Sequence, residues 1–221
     1  AIALGIMLGA DVGTSVVAQL FSLDISWLSP LLLLCGFAVF SATERKRTRS
    51  IGRMLLGLGL VLLALKTIVS ASEPLRSSEV ILSIVGALDG EPLLAVLIAA
   101  ILTWAAHSSL AIVLLVCSLA ATGAIPVSLA LILVLGANLG AALPPLLATT
   151  GGPLEGRRVA IGNGIFKLTG VVIALSMLGA IEPLLAGFDP DPVRMAVNLH
   201  TGFNIALALV FLPITGLVSA L

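Results

Sequence analysis

The chain has 221 residues, of which 59% are apolar and 10% are charged, and its mean hydropathy is +1.23. These values lie far outside the range of soluble domains and predict an integral membrane protein. The formal net charge is zero at pH 7, so no overall field favours nucleic acid or an acidic partner.

Charged loops divide the apolar chain into predicted membrane crossings. Basic residues concentrate at 45–53 and at Arg157 and Arg158, which the positive-inside rule places in the cytoplasm. The other loops are acidic and are predicted to be external, on the evidence of residues such as Asp24, Glu73 and Asp89. The predicted crossings are 28–43 inward, 53–71 outward, 159–181 outward and 195–216 inward.

Two apolar stretches, 92–122 and 126–150, lie between the external Glu91 and the cytoplasmic Glu155, where the number of crossings must be odd. As one straight helix the first stretch would measure about 46 Å, against a hydrocarbon core of about 30 Å. The polar residues at 106–109 are the expected break. We therefore interpret 92–122 as a re-entrant hairpin or a pair of half-helices.

A short pattern occurs twice, as Gly-Ala-Asp-Val-Gly at 9–13 and as Gly-Ala-Asn-Leu-Gly at 136–140. We expect these polar, glycine-bracketed segments to interrupt helices, and they lead to loops on opposite faces, which predicts an inverted-topology repeat. The two copies begin 127 residues apart, at Gly9 and Gly136. Subtracting this offset from His107 places its counterpart in repeat one about 20 residues before Ala1. We therefore predict one N-terminally truncated transport core over 1–221, with 1–71 as the remainder of repeat one and 92–216 as repeat two.

Four segments together resemble a known family, the bacterial sodium-dependent phosphate symporters, which are related to the type II Na/Pi carriers of animals. Two of these segments, 103–111 and 136–142, are similar to the family's Gln-Ser-Ser-Ser and Gly-Ala-Asn-Ile-Gly-Thr-Thr motifs. The other two, 157–167 and 196–204, are similar to Arg-Arg-x-Ala-x-x-His-x-x-Phe-Asn and to its last signature. The resemblance covers essentially the whole chain.

The resemblance implies an all-α, polytopic integral membrane protein with inverted-topology repeats and broken or re-entrant helices. It further implies an ion-coupled symporter that imports inorganic phosphate by alternating access, with sodium as the expected coupling ion. The expected location is the inner (cytoplasmic) membrane, in several passes through the lipid bilayer. A homodimer is plausible for a transport core, and no nucleic-acid partner is expected.

Phosphate that enters a low-dielectric cavity needs hydrogen-bond donors, which hydroxyl groups and half-helix N-termini provide. Sodium needs oxygen acceptors from unwound carbonyls, amides and hydroxyls. The expected phosphate-binding residues are His107, Ser108, Ser109 and Lys167. The expected ion-binding or coupling residues are Asp11, Thr14, Asn138, Asn163, His200 and Asn204. No metal beyond sodium and no other cofactor is expected, and the alternative is that the Ser and Asn side chains only link neighbouring helices.

The chain departs from the family pattern at the sites expected to bind ions. His107 replaces Gln, Leu110 replaces the third Ser, and Ala141 and Ala142 replace Thr-Thr. Asp11 and Lys167, which are both ionisable, each replace an Asn. A charge in the membrane interior needs a partner or a function. We hypothesise that the two face each other and that Lys167 or His107 supplies positive charge that sodium would otherwise provide.

Other interpretations stay open at this point. The coupling ion could be a proton, since His107 can titrate near neutral pH, or the Asp11–Lys167 pair could be a static salt bridge. Another small anion, or a non-transporting scaffold or sensor, also fits the altered motifs. An enzyme is not expected, because His107 and Ser108 would point about 100° apart on a helix.

Overall fold

The computed structural model describes residues 2–23, 27–72, 74, 78–88 and 90–218, and within these ranges it contains helices and no strands. The helical fraction is 86%, so the all-α prediction is confirmed. The helices are α1 Ile2–Phe21, α2 Leu28–Ser41, α3 Lys46–Ser72, α4 Glu79–Leu88, α5 Pro92–Ala106, α6 Ser109–Ala121, α7 Val127–Gly140, α8 Leu143–Ala148, α9 Leu154–Ser176, α10 Leu178–Phe188, α11 Pro192–Phe211 and α12 Thr215–Val218, with a 3₁₀ turn at Leu212–Ile214.

Several helical segments are long and apolar enough to cross a bilayer. They are Ile2–Phe21, Val127–Ala148, which joins α7 and α8, Leu154–Ser176, and Pro192–Ile214. Their outward faces carry large apolar side chains such as Leu209, which is 73% exposed. Such surfaces are unfavourable in water and suit lipid. The chain is therefore an integral membrane protein.

Each predicted crossing coincides with a helix, with three differences. The helix at 28–43 is α2, whose 14 residues measure about 21 Å and are too few for a full crossing on their own. The basic segment 45–53 is mostly part of α3 and not a loop, because Arg and Lys are good helix formers. The predicted crossing 159–181 is interrupted, since α9 ends at Ser176 and α10 begins at Leu178. Three of the residues on which the predicted external loops depend, Asp24, Glu73 and Asp89, lie outside the described residues.

The first Gly-Ala-Asp segment does not interrupt a helix. Helix α1 runs without a break through 9–13, so the predicted interruption there is wrong. Each glycine costs a helix only about 1 kcal/mol relative to Ala, whereas backbone groups left unpaired in an apolar medium cost several kcal/mol each. A methyl group added at Gly9 or Gly13 would meet no atom within 4 Å.

The second segment lies at the end of α7, where its glycines bring α7 against α5. A Cβ at Gly136 would lie 2.5 Å from the carbonyl oxygen of Val96, and one at Gly140 would lie 2.7 Å from Cα of Ala100. Such close backbone approach between helices requires small residues. Helix α7 also contacts α6, α9 and α11, so it forms the centre of the fold.

Helices α2 and α3 form an antiparallel hairpin at the periphery. A Cβ at Gly52 would lie 2.6 Å from the backbone nitrogen of Phe40, and buried Ser29 donates a hydrogen bond to the carbonyl oxygen of Gly59 at 2.8 Å. The hairpin contacts the rest of the fold mainly through α3 and α6. The functional residues predicted from the sequence all lie outside it.

Candidate functional site

The chain breaks between α5 and α6 at the predicted position. His107 ends α5 in the left-handed conformation, with φ 53°, and Ser108 is extended, with φ −153° and ψ 109°. The hydroxyl of Ser108 caps α6 by accepting a hydrogen bond from the backbone N–H of Ala111 at 3.2 Å. This cap leaves the N–H groups of Ser109 and Leu110 at the start of α6 without an intrahelical acceptor.

A cavity of about 340 Å³ opens at this break. It is lined by Thr14, Thr103, His107, Ser108, Ser109, Leu110, Ala141, Pro144 and Pro145. Ala141 lies in the second helix break, between α7 and α8, and Pro144 and Pro145 lie at the start of α8, so the cavity lies where two helix breaks meet. The cavity can hold a small anion together with several waters.

Thr103 is a cavity residue that the sequence analysis does not single out. It is fully buried, and its hydroxyl oxygen has no hydrogen-bond partner among the described residues. A buried hydroxyl left unpaired costs about 1–3 kcal/mol, so it usually serves a ligand or an ordered water. Its position one turn before His107 on α5 is the signal that would have identified it.

Three of the predicted ion-binding residues form a buried cluster between α7 and α11. The side-chain nitrogen of Asn138 contacts Nδ1 of His200 at 3.0 Å, and that of Asn204 contacts the same atom at 3.4 Å. Asn204 also donates to Oδ1 of Asn138 at 3.1 Å. All three side chains are at most 2% exposed.

The hydrogen bonds of the cluster assign the imidazole tautomer. The amide nitrogens of Asn138 and Asn204 also donate to backbone carbonyls, both at 2.9 Å, which fixes their orientation. The two hydrogens of the Asn204 amide go to the carbonyl of His200 and to Oδ1 of Asn138, so Asn138 is the donor towards Nδ1 of a neutral His200 and the imidazole proton lies on Nε2. Within the described part of the chain, Nε2 of His200 and Oδ1 of Asn204 and Asn163 have no partner.

Asp11 of α1 and Lys167 of α9 face each other, as the sequence analysis predicts. Nζ of Lys167 donates to Oδ1 of Asp11 at 2.9 Å, and the two side chains are 2% and 22% exposed. The ammonium group is thus enclosed, and the carboxylate is partly open. Asn163 precedes Lys167 by one turn of α9 and lies on the same face.

Helix α1 connects the ion pair to the cavity. Thr14 lines the cavity and lies one turn after Asp11, whose backbone carbonyl accepts a hydrogen bond from the Thr14 hydroxyl at 2.9 Å. Lys167, which the sequence analysis groups with the phosphate-binding serines, does not line the cavity. The predicted residues therefore form three neighbouring groups, which are the cavity, the ion pair and the amide cluster.

Helices α1 and α11 also make a polar contact that was not predicted from the sequence. Nε2 of Gln19 donates to Oδ1 of Asn198 at 2.9 Å and to Oγ1 of Thr201 at 3.1 Å. Nearer the end of α1, the guanidinium group of Arg194 donates to the hydroxyl of Ser22 at 2.7 Å. The i, i+4 spacing of Ser15 and Gln19 after Asp11 is a sequence signal for this stripe.

Comparison with known proteins identifies the family of this chain. The family model described as Na+/Pi-cotransporter matches residues 1–70 and 76–217. A protein of Escherichia coli (strain K12) named "Putative inorganic phosphate export protein YjbB" is 39% identical over 211 residues, which cover 96% of this chain and 39% of that protein. The protein of the same name from Salmonella typhimurium is 37% identical over 217 residues, which cover 98% of this chain and 40% of that protein.

A more distant relative has a name that does not indicate a function. "Uncharacterized protein YqeW" of Bacillus subtilis is 26% identical over 211 residues, which cover 96% of this chain and 68% of that protein. The chain spans about two fifths of the length of the YjbB proteins. No solved structure matches the chain.

These findings confirm the family resemblance and correct the predicted direction of transport. The prediction of phosphate import is wrong, because the relatives at 37–39% identity are named as export proteins. The motifs on which the prediction rests describe a binding site, and a binding site that alternates between two faces does not set the direction of net flux.

Proposed function

This chain belongs to the Na+/Pi-cotransporter family, and on that premise we propose that it forms the membrane core of a transporter that moves inorganic phosphate out of the cell. The names of the relatives support both the substrate and the direction. The proposed export from the cytoplasm is consistent with the proposed location in the cytoplasmic membrane. A homodimer stays a prediction.

The cavity between the two helix breaks is the proposed phosphate site, and it is the observation that carries the proposal. The hydroxyls of Thr103, Ser108 and Ser109 border it, and the free N–H groups of Ser109 and Leu110 lie at the N-terminus of the 13-residue helix α6. Hydroxyls, N–H donors and the positive end of a helix dipole are the groups that replace the hydration shell of an anion.

Helices α5 and α6 are the proposed re-entrant pair. With 15 and 13 residues, they measure about 22 and 20 Å, which is too short to cross a core of about 30 Å singly. Their polar junction would then lie inside the membrane beside the cavity. The proposed repeats remain 1–71 and 92–216, with α1 and α7 as equivalent helices.

The Asp11–Lys167 pair is the proposed coupling group. Lys167 places a fixed positive charge in the interior. The neighbouring amide oxygens of Asn163 and Asn204 are too few to replace the hydration shell of Na+ on their own. We therefore propose that the ammonium group takes the place of a coupling cation and that phosphate efflux does not require sodium.

Efflux of radiolabelled phosphate from proteoliposomes tests the proposal, with the full-length protein and with or without sodium. Each lost hydrogen bond to phosphate is worth about 1–1.5 kcal/mol, so Ser109→Ala and Thr103→Val should each raise KM about five- to tenfold. The matched control is Ser176→Ala, because among the described residues that hydroxyl bonds to the Ile173 carbonyl of its own helix and it does not line the cavity. Wild-type KM in both site variants would refute the cavity as the phosphate site, and efflux that stops without sodium would refute the role of Lys167.

A further inference from the structure

Polar side chains follow one face of α1 from its C-terminal end to the buried ion pair. They are Asp11, Ser15, Gln19 and Ser22, at intervals of four, four and three residues. Positions with this spacing lie above one another on a helix. A continuous polar stripe on a membrane helix either bonds to a neighbouring helix or faces water, because lipid offers its side chains no hydrogen bonds.

Helix α11 presents a matching stripe in the antiparallel direction. Arg194 bonds to Ser22 at 2.7 Å, Asn198 accepts from Gln19 at 2.9 Å, and the Thr201 hydroxyl donates to the backbone carbonyl of Ser15 at 3.4 Å. The contacts therefore proceed step by step from the helix end towards Asp11. We call this row of contacts the α1–α11 seam.

Most side chains of the seam are half-buried, unlike the exposed lipid-facing residues. Gln19, Ser22, Asn198 and Thr201 are half-buried, whereas Ser15, which joins the seam through its backbone carbonyl, is buried and its hydroxyl donates to the carbonyl of Val12. Polar groups that are partly exposed within a membrane segment must face water or other polar protein, because hydrocarbon offers them no hydrogen bonds. The seam also ends at the carboxylate of Asp11, which is 22% exposed.

Charge is placed at both ends of the seam. At the outer end Nε of Arg194 lies 3.6 Å from Asp189, and at the inner end Lys167 lies 2.9 Å from Asp11. Each cation is more enclosed than its acidic partner, by 30% against 41% exposure and by 2% against 22%. Each end of the seam therefore carries a compensated ion pair, and hydrogen-bonding groups lie between the two pairs.

We propose that the α1–α11 seam is a water-filled access route that connects the membrane face at the end of α1 with the Asp11–Lys167 pair and with the cavity at Thr14, which lies on α1 one helical turn from Asp11 towards the end of the helix. The route rests on the proposed function for the identity of the ion, a small hydrated anion such as phosphate. The presence of water in the seam is independent of transport.

Cysteine accessibility in the full-length protein tests the route, after Cys35 and Cys117 are replaced by Ser. The test variants are Gln19→Cys on α1 and Asn198→Cys on α11. The matched control is Leu20→Cys, which is adjacent to Gln19 at the same depth and is 53% exposed on another face of the helix. The reagent is the anionic, membrane-impermeant sulfonatoethyl methanethiosulfonate, added separately to each side of sealed vesicles.

A thiol that contacts water can form the reactive thiolate, whereas a thiol in hydrocarbon stays protonated. Gln19→Cys and Asn198→Cys should therefore react at least about tenfold faster than Leu20→Cys. The reaction should occur from the face where α1 ends, which the sequence predicts to be external. Rates of both test variants as slow as that of Leu20→Cys would overturn the route and leave the seam as a dry helix contact. Use of two test positions on different helices guards against the failure of one variant to fold.

The outcome is separable from that of the efflux experiment. If the seam cysteines react but the protein moves no phosphate, the route is supported and the proposed function is refuted. If the protein moves phosphate but the seam cysteines do not react, the proposed function is supported and the route is refuted.

Discussion

Loss of the Asp11 carboxylate should destabilise the protein more than loss of the Lys167 ammonium. Asp11→Asn leaves an ammonium group that is 2% exposed without its counter-ion, whereas Lys167→Met leaves a carboxylate that is 22% exposed and can reach water. Removal of one partner of a buried pair costs about 3–5 kcal/mol when the remaining charge is enclosed. We expect about 3 kcal/mol or more for Asp11→Asn, and about 1–2 kcal/mol for Lys167→Met, as for a lost hydrogen bond.

The unfolding temperature of the detergent-solubilised protein, followed by size-exclusion chromatography after heating, measures this difference. For a chain of this size 1 kcal/mol corresponds to about 2–4 °C, so Asp11→Asn should lower the unfolding temperature by roughly 6–12 °C. The double variant Asp11→Asn/Lys167→Met carries neither charge and should recover most of the loss. If Lys167→Met proves as damaging as Asp11→Asn, or if the double variant shows the sum of both losses, the argument from enclosure is wrong.

Three further predictions concern stability and use the same heating assay. Gly140→Ala should cost about 1–3 kcal/mol because its Cβ would collide with the backbone of α5, whereas Gly13→Ala, in open space, should be neutral or slightly stabilising; equal effects would contradict the packing argument. Asn138→Leu should cost about 2 kcal/mol or more, because it removes the 3.0 Å contact to His200 in a buried cluster, and an unchanged unfolding temperature would rule out a structural role. His107→Gly should leave stability unchanged or raise it by up to about 1 kcal/mol, because φ 53° favours glycine, and a clear loss would mean that the imidazole itself stabilises the break.

The helix break was predictable because its sequence signal is local. The ion pair was predictable because each charged residue in the apolar interior has few possible partners. Polar residues at 106–109 interrupt a run too long for one crossing, so the chain had to break there. Charges are few in the apolar interior, so Asp11 and Lys167 had few partners other than each other. The direction of transport was not predictable, since the same binding groups serve flux either way.

Other features depend on how the helices meet. The same Gly-x-x-x-Gly spacing gives open space at Gly9 and Gly13 in α1 but a close helix contact at Gly136 and Gly140 in α7. A glycine pattern permits close approach without requiring it, and a partner helix must supply the contact. Thr103 and Gln19 were missed for a similar reason, since each is one polar residue in an apolar helix until its neighbours are known.

The sequence by itself determined the membrane class, the family, the break at His107 and the need for Asp11 and Lys167 to pair. These follow from hydropathy, from motif order and from the cost of an isolated charge in hydrocarbon, none of which requires coordinates. Only the tertiary structure decided that Asn138, His200 and Asn204 form one buried cluster and that Thr14 joins the serines of α6 in one cavity. Hydrogen bonds between residues more than 60 positions apart exist only where helix packing brings the side chains within about 3 Å, and that packing is set by the contacts of the whole core.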